Sequence, residues 1–507
     1  MKVARRKGSG LEDAAVPEKM QSKPSLSDPE VEELRDLALA LEEHYDYPQD
    51  FEWTIERGKI FLVQTRAVTV LAKAEKEQGR AEVRPLLNGL GVSPGIGTGR
   101  VKLVLDIKDL GRVKKGDVLV TKMTTPDYVP AMLKTVGIVT NEGGMTSHAA
   151  IVSRELGVPC VVGTSTATQV LAEGSLISVD GSRGIVYSGE VGTMVSGKEL
   201  TKELEEARKL KTKTKIYMNL GVPEKIKDYA DIPFDGIGLM RVEFIIASHI
   251  GEHPLHLIET NRSSVFVDLL AEGIATVAKE INPKPLVVRF SDFKSNEYRA
   301  LEGGEKYEDV EANPMIGWRG VSRYVAPEYQ KAYELEVRAI KKVREELGLK
   351  NVWVMLPFVR TTWEVAKCIG MIEKAGLRRG PDFKVWLMAE VPSIVFMGRE
   401  FAELCDGFSI GSNDLTQLIL GIDRDSTKLA NLGYFDERDE AVKRAIKMLI
   451  EAAHSKGKTV SICGQAPSVY PELAEYLVEL GIDSMSVNPD TVARTRILVN
   501  RVESAKR

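Results

Sequence analysis

The sequence predicts an α/β protein with a (β/α)8 barrel at its C-terminal end, and three observations carry that expectation. After residue 212, eight apolar strand-like runs alternate with long helical patterns over 295 residues, namely KIYMNL, GIGLMRVEF, PLVVRF, NVWVMLPFV, KVWLMAEV, DGFSIGS, TVSICGQ and SMSVNP. That rhythm favours a closed barrel over an open doubly wound sheet. Between about 86 and 193 the strands are shorter and closer together (GRVKLV, DVLVTK, GIVTN, CVVGT, LISVD, GIVYSG), with helices expected after SHAA and near PDYVPAMLK. This is the pattern of a compact, β-rich α/β domain. Finally, 507 residues leave room for roughly three domains at ~150 residues each.

In chain order, residues 1–75 open with a polar, charged, Pro-containing stretch, then a helical pattern (DPEVEELRDLALALEEHY) and two strands, FEWTIERG and KIFLVQTRAV. Such a piece is too small to bury a core of its own. The charged run AKAEKEQGRAEVRP marks a boundary before the β-rich domain of 86–193. Residues 194–212 (SGKELTKELEEARKLKTKTK and neighbours) are charged and helix-prone and are expected to form a solvated linker helix, leaving 213–507 for the barrel.

Composition narrows the function. Apolar residues at 43% and charged residues at 28% describe a folded, soluble chain. The net charge of -4 gives no field able to hold nucleic acid or an anionic membrane. There is no run of ~18 apolar residues for a membrane span and no apolar signal core after MKVARRKGSG, so the expected location is cytoplasmic. The four cysteines, Cys160, Cys368, Cys405 and Cys463, form no CxxC pair and no disulfide framework. Cys160, Cys368 and Cys405 read as packing residues, and His253 and His256 in GEHPLH as loop or core histidines without a third metal ligand.

The sharpest local feature is TNEGGMTSHAAIVSRELGVPCVVG, in which glycines and small polar residues run into a helix beginning near His148. Thr146 or Ser147 suits the N-cap position. A histidine there stands beside unpaired N–H groups and the positive end of the helix dipole, a setting for a phosphoryl dianion, with Gly143 and Gly144 allowing close backbone approach. Taken alone, His148 reads equally as a nucleophile or as a histidine decorating a helix start. Polar residues recur just beyond the barrel strands, where a barrel gathers one rim. Arg241, Arg289, Arg319, Glu390, Asn413, Asp414 and Cys463 all occupy such places. Arginines suit a phosphate or carboxylate, paired carboxylates a hard divalent cation, and the thiol proton transfer. Singly, each arginine or carboxylate reads as a salt bridge and Cys463 as an inert thiol; the shared rim favours a site.

These motifs together resemble the phosphoenolpyruvate (PEP)-utilising enzymes, a likeness covering roughly residues 15–507. GGMTSHAAIVSRELG is similar to the family's phosphohistidine signature, and FSIGSNDLTQLILGIDRD to its metal and substrate signature. RFSDFKSNEYRALEGG, NPMIGWRG and SICGQAPS resemble the branch that consumes ATP, pyruvate and water; other branches usually have glutamate where Gln465 follows Cys463 and Gly464. The resemblance implies a swivelling phosphohistidine domain and a pyruvate-binding TIM barrel. His148 would carry phosphate at Nε2 and Cys463 would exchange the proton at the pyruvate methyl carbon. Glu390 and Asp414 would hold Mg2+ and stabilise the enolate. Arg241 and Arg289 would bind substrate with Gly411, Ser412 and Asn413, and Arg319 and Arg424 would add anion contacts. The implied partners are pyruvate and PEP, in a homo-oligomer of two or more copies.

The family's ATP-grasp domain is expected only as a remnant over residues 1–75. PQDFEWTIERGKIFLVQTRAVT resembles its closing strands, with Glu52, Gln64 and Arg66 at nucleotide and metal positions. The expectation is therefore a competent PEP/pyruvate half-reaction of ATP + pyruvate + water to AMP + PEP + phosphate, with ATP used only if a nucleotide-binding domain is supplied. A truncated chain, a split-enzyme subunit and a natural short form all fit, and the interior-like stretch after Met1 favours truncation. The competing readings are a phosphocarrier-type PEP-protein phosphotransferase, a pyruvate phosphate dikinase and an inactive regulatory relic.

Overall fold

Two hairpins and a helix make up the first of two compact units, residues 1–80, in the computed structural model. The structure describes residues 2–7, 10–15, 26–45, 49–67, 85–125, 128–145, 147–191, 197–423, 426, 428–429 and 432–505. Strands β1 (Lys2–Lys7) and β2 (Gly10–Ala15) pair antiparallel. The polar opening was not expected to form strands; its backbone register sets Arg5 opposite Glu12 and Ala4 opposite Asp13. Helix α1 (Asp28–Tyr45) starts where the Glu30 carboxylate accepts from both the Ser27 amide and its hydroxyl, each at 2.7 Å. The second hairpin, β3 (Gln49–Glu56) and β4 (Lys59–Ala67), turns through Arg57 and Gly58, both at positive φ.

The second unit, residues 81–507, holds an eight-stranded sheet and a closed barrel. The sheet strands are β5 (Pro85–Asn88), β6 (Leu90–Ser93), β7 (Ile96–Leu103), β8 (Asp117–Thr121), β9 (Gly137–Thr140), β10 (Cys160–Val162), β11 (Leu176–Asp180) and β12 (Ile185–Ser188). Their order across the sheet is β5-β12-β11-β7-β8-β9-β10-β6. Within the parallel centre β7-β8-β9-β10, strands β8, β9 and β10 read as nearly continuous apolar runs because both faces are covered. Val118, Val120, Val139 and Val161 pack on one side and Leu119, Ile138, Cys160 and Val162 on the other. The outer strands β5 and β6, four residues each, are too short to announce themselves. Helix α2 (Val129–Met132) and helix α3 (His148–Leu156) lie on the second face.

Helix α4 (Gly197–Lys209) leads to the barrel and packs on the C-terminal helix α7 (Val492–Ala505) through fully buried Ala207, so it is less solvated than its charge suggests. The barrel strands are β13 (Lys215–Leu220), β14 (Ile237–Arg241), β15 (Leu286–Arg289), β16 (Val352–Leu356), β17 (Val385–Ala389), β18 (Gly407–Ile410), β19 (Thr459–Ile462) and β20 (Ser484–Val487). All eight expected strands are present, parallel, and closed by β13 against β20. Leu239, Val287, Met355, Trp386 and Met388 fill the interior beneath Cys463, as a packed barrel requires. No described helix is long and apolar enough to cross a membrane. The four cysteines are free and buried. His253 is a core histidine, 3.0 Å from Glu308 and stacked on Tyr307.

Candidate active site

A strand of a parallel barrel delivers the residue after its last hydrogen bond to the C-terminal rim. Arg241 ends β14, Arg289 ends β15, Glu390 follows β17, Gly411 follows β18 and Cys463 follows β19. Helix α6 (Ser412–Leu420) starts at that rim with Asn413 and Asp414 in its first turn. These residues, apart from Ser412, line one cavity of about 220 Å³ with Arg319, Asp292, Glu243 and Gln465. The opposite wall comes from α2 and α3 and includes His148, Ile151 and Val152. The histidine and the barrel rim, read separately from sequence, therefore face a common space.

His148 is the first residue of α3, and its Nδ1 lies 2.9 Å from the Thr124 hydroxyl. That contact holds the ring through Nδ1. Ser147 is the N-cap by position, but its hydroxyl donates to the Gly144 carbonyl (2.8 Å) and makes no side-chain cap. Thr146 lies outside the described residues. Of the two glycines, only Gly143 is required by backbone shape: φ is +118°, and a Cβ there would meet the Ser147 hydroxyl at 2.9 Å.

The rim is a lattice of buried ions. Arg319 donates Nε to Asp292 Oδ1 (3.0 Å) and Nη2 to Asp292 Oδ2 (2.5 Å), and Nη2 also reaches Asp414 Oδ2 at 3.1 Å. Arg289 donates Nη2 to Glu243 Oε1 (2.6 Å), which also accepts from the Asp292 amide (2.6 Å). Both guanidinium groups are held firmly protonated by these carboxylates against the cost of burial. Arg241 pairs through Nη2 with Glu155 of α3 at 3.0 Å. The buried Nε groups of Arg241 and Arg289 have no protein acceptor, which leaves two N–H donors for an anion.

Ligand atoms of Asp292, Glu390 and Asp414 all lie within 4.8 Å of one another, and all three residues are buried. Burial, then the charges of Asp414 and Asp292, raise the Glu390 pKa well above the usual carboxylate range. Three oxygen donors crowded to that degree fit a hard divalent cation, whose charge would relieve the repulsion. Glu390 Oε1 accepts the Phe358 amide at 2.8 Å. Phe358 sits at φ +47°, and its ring lies 4.0 Å beneath the Arg319 guanidinium. Holding a bulky residue in that region costs on the order of 1–3 kcal/mol, and here it serves two neighbours at once. Cys463 is buried to 3% exposure, and desolvation pushes its thiol up to about 11, with Ser409 pulling the other way.

Some expected residues stand elsewhere. Ser412 is fully buried, with its hydroxyl on Glu437 rather than in the cavity, packed where a Cβ on Gly464 would be 1.8 Å from it. Arg424 and the Arg66 side chain lie outside the described residues. Glu52 and Gln64 are paired positions across the β3–β4 hairpin and are both exposed. The residues that sequence reasoning missed are Asp292, Glu243, Phe358, Thr124, Glu155 and Gln465. For Asp292 the signal was available: an acid three residues beyond Arg289, past a strand end.

Comparison with known proteins gives a consistent grouping. Residues 196–504 match the PEP-binding domain of PEP-utilising enzymes, residues 113–184 the mobile domain of PEP-utilising enzymes, and residues 1–85 the AMP/ATP-binding domain of pyruvate phosphate dikinase. The last match gives no support to the expectation that the ATP half is incompetent. The chain is 59% identical to a probable phosphoenolpyruvate synthase of Staphylothermus marinus and 58% identical to the phosphoenolpyruvate synthase of Aeropyrum pernix. Each alignment covers 95% of this chain and 61% of the relative. The Escherichia coli phosphoenolpyruvate synthase is 42% identical over 95% of this chain and 63% of its own length. The chain thus spans about three fifths of the length of these relatives.

Proposed function

The chain belongs to the family of PEP-utilising enzymes, and from that premise we propose that it performs the pyruvate half of the phosphoenolpyruvate synthase reaction, moving a phosphoryl group between His148 and pyruvate. The observation that carries this reading is the single cavity lined by His148 on one wall and by Arg241, Arg289, Glu390, Asp414 and Cys463 on the other.

The chain's own groups account for each step. The unpartnered Nε donors of Arg241 and Arg289 grip the anionic ends of the substrate and orient it. Asn413 is steadied by the backbone N–H of Gln465, which donates to its Oδ1 at 3.3 Å. With Nδ1 protonated and donating to Thr124, His148 attacks the phosphorus of PEP through Nε2. The P–N bond forms as the P–O bond to the enolate oxygen breaks. Cys463, kept as a neutral thiol by burial, gives its proton to the methylene carbon, so pyruvate is released and a thiolate remains to be reprotonated. In the other direction that thiolate removes the methyl proton and the enolate oxygen takes the phosphoryl group back. Arg319, locked by Asp292 and stacked on Phe358, presents fixed positive charge to the transfer without moving. Glu390 and Asp414, with Asp292 beside them, would hold Mg2+, which supplies Lewis-acid polarisation of the substrate oxygens when bound.

Incubation with Mg2+ and PEP labelled in its phosphoryl group tests the reading. One acid-labile phosphate on His148, with equimolar pyruvate, is expected; a chain that takes up no label overturns it. Adding ATP and pyruvate then reads the nucleotide half, which the match of residues 1–85 favours. We take the working form to be a cytoplasmic homo-oligomer, dimer or larger, with exposed Phe396, Met397 and Met448 on outer barrel helices as available contact surface. Sizing chromatography with light scattering decides that point.

A further inference from the structure

Helix α3 carries more than the histidine. His148, Ile151, Val152 and Glu155 follow the i, i+3, i+4, i+7 spacing and therefore share one helix face. The first three line the cavity. Glu155, two turns on and roughly 10 Å along the axis, is 7% exposed and forms the 3.0 Å pair with Arg241 of the barrel rim. Its neighbour Arg154 makes a second crossing, with Nη2 at 3.3 Å from Asp490 Oδ2 just beyond β20. The two pairs have opposite polarity: the α3 residue is the acid in one and the base in the other. A helix turned about its axis or shifted by one residue would set like charges together. Barrel residues Phe244 and Val222 complete the apolar cluster beneath α3, which makes this a packed surface as well as an ionic one.

Arg241 has a double engagement here. Its Nη2 faces Glu155, while its Nε is buried without a protein acceptor at the cavity. One guanidinium fork can thus hold the carrier helix and a substrate anion at the same time. Resting on the function proposed above, we infer that Glu155 is a positioning residue for phosphoryl transfer: it latches the histidine-bearing helix to the substrate-binding arginine, with Arg154 and Asp490 fixing the orientation of the latch. Substrate and the docked helix then meet on one side chain through different nitrogens, so loss of the latch loosens docking and leaves the substrate's own nitrogen in place.

The test separates docking from substrate binding. In the full chain, Glu155→Gln is expected to slow PEP-dependent phosphorylation of His148 by about tenfold or more. Binding of oxalate with Mg2+, read by calorimetry as a probe of the barrel pocket alone, stays within about threefold. Amide hydrogen exchange over residues 148–156 speeds up in the same variant. Arg154→Asp and Asp490→Arg are each expected to slow phosphorylation, and the double variant to recover most of the rate. The inference is overturned if Glu155→Gln phosphorylates at the normal rate, if oxalate affinity falls as far as the rate, or if the double variant is no better than its parents. A wild-type chain that PEP never phosphorylates would instead remove the proposed function. Faster exchange of helix 148–156 in Glu155→Gln would then still uphold the latch, and unchanged exchange would remove it as well.

Discussion

The two walls of the cavity are held in different ways. On the barrel wall Arg319 has three acceptors in Asp292, Asp414 and the Met315 carbonyl, Glu243 ties Arg289 to the Asp292 amide, and Phe358 supports both Glu390 and Arg319. Removing one member leaves another buried charge uncompensated. On the facing wall His148 rests on the Thr124 hydroxyl, and its helix reaches the barrel through two ion pairs. The barrel wall is built to stay still, since charge must wait at fixed points for the substrate. The histidine wall is held more lightly, which suits the proposed function, in which His148 would accept phosphate at one centre and deliver it at another.

Substitutions on the two walls should therefore separate. The largest effect is expected from His148→Ala, with complete loss of acid-labile phosphate after PEP treatment and unchanged oxalate binding; retained label would break the division of labour. Next comes Asp292→Ala, which takes two hydrogen bonds from Arg319, leaves it Asp414 and the Met315 carbonyl, and is expected to cost about 1.5–3 kcal/mol of stability in denaturant titration. The transfer rate should fall by roughly 10²–10³ in the same variant. Thr124→Val removes the hydroxyl that holds Nδ1, and a slowing of about tenfold in His148 phosphorylation is expected, with oxalate binding untouched.

The last substitution tests the barrel wall from behind, through stability and not through the reaction. Glu336 of helix α5 (Gln330–Lys341) is fully buried and accepts from the Ser291 amide at 2.9 Å and hydroxyl at 2.5 Å. Ser291 immediately precedes Asp292, so Glu336 backs the loop that carries the rim acid. Burial raises its pKa to about 7, with the Ser291 hydrogen bonds opposing. The folded state then binds a proton that the unfolded chain has released, so stability falls as pH rises from about 4.5 to 7 and levels off above. Glu336→Gln should abolish that slope, a difference on the order of 3 kcal/mol between pH 5 and pH 8. Thermal melts across that range check it; parallel pH profiles for both proteins would contradict it.

The barrel was legible because strands buried on both faces are written as unbroken apolar runs, and because polar residues just beyond such runs have one place to go. Arg241, Arg289, Glu390, Asp414 and Cys463 were found in that way. Asp292 and Glu243 were not, because an acid near an arginine reads as an ordinary salt bridge until tertiary structure shows it buried. Phe358 is invisible for another reason: its role depends on a positive φ that nothing in VMLPFVR signals. Thr124 and Glu155 act through partners 24 and 86 residues away, distances over which periodicity carries no information. The β1–β2 hairpin was missed because its residues are charged where strands are expected to be apolar.

The central claim is that His148 and the barrel rim form one phosphoryl-transfer site. Chain phosphorylated at His148, freed of PEP and mixed with pyruvate and Mg2+, tests it most directly. The account predicts a single turnover in which PEP appears as phosphohistidine disappears, mole for mole. Loss of the phosphate to water without PEP, or its persistence on His148, would contradict it.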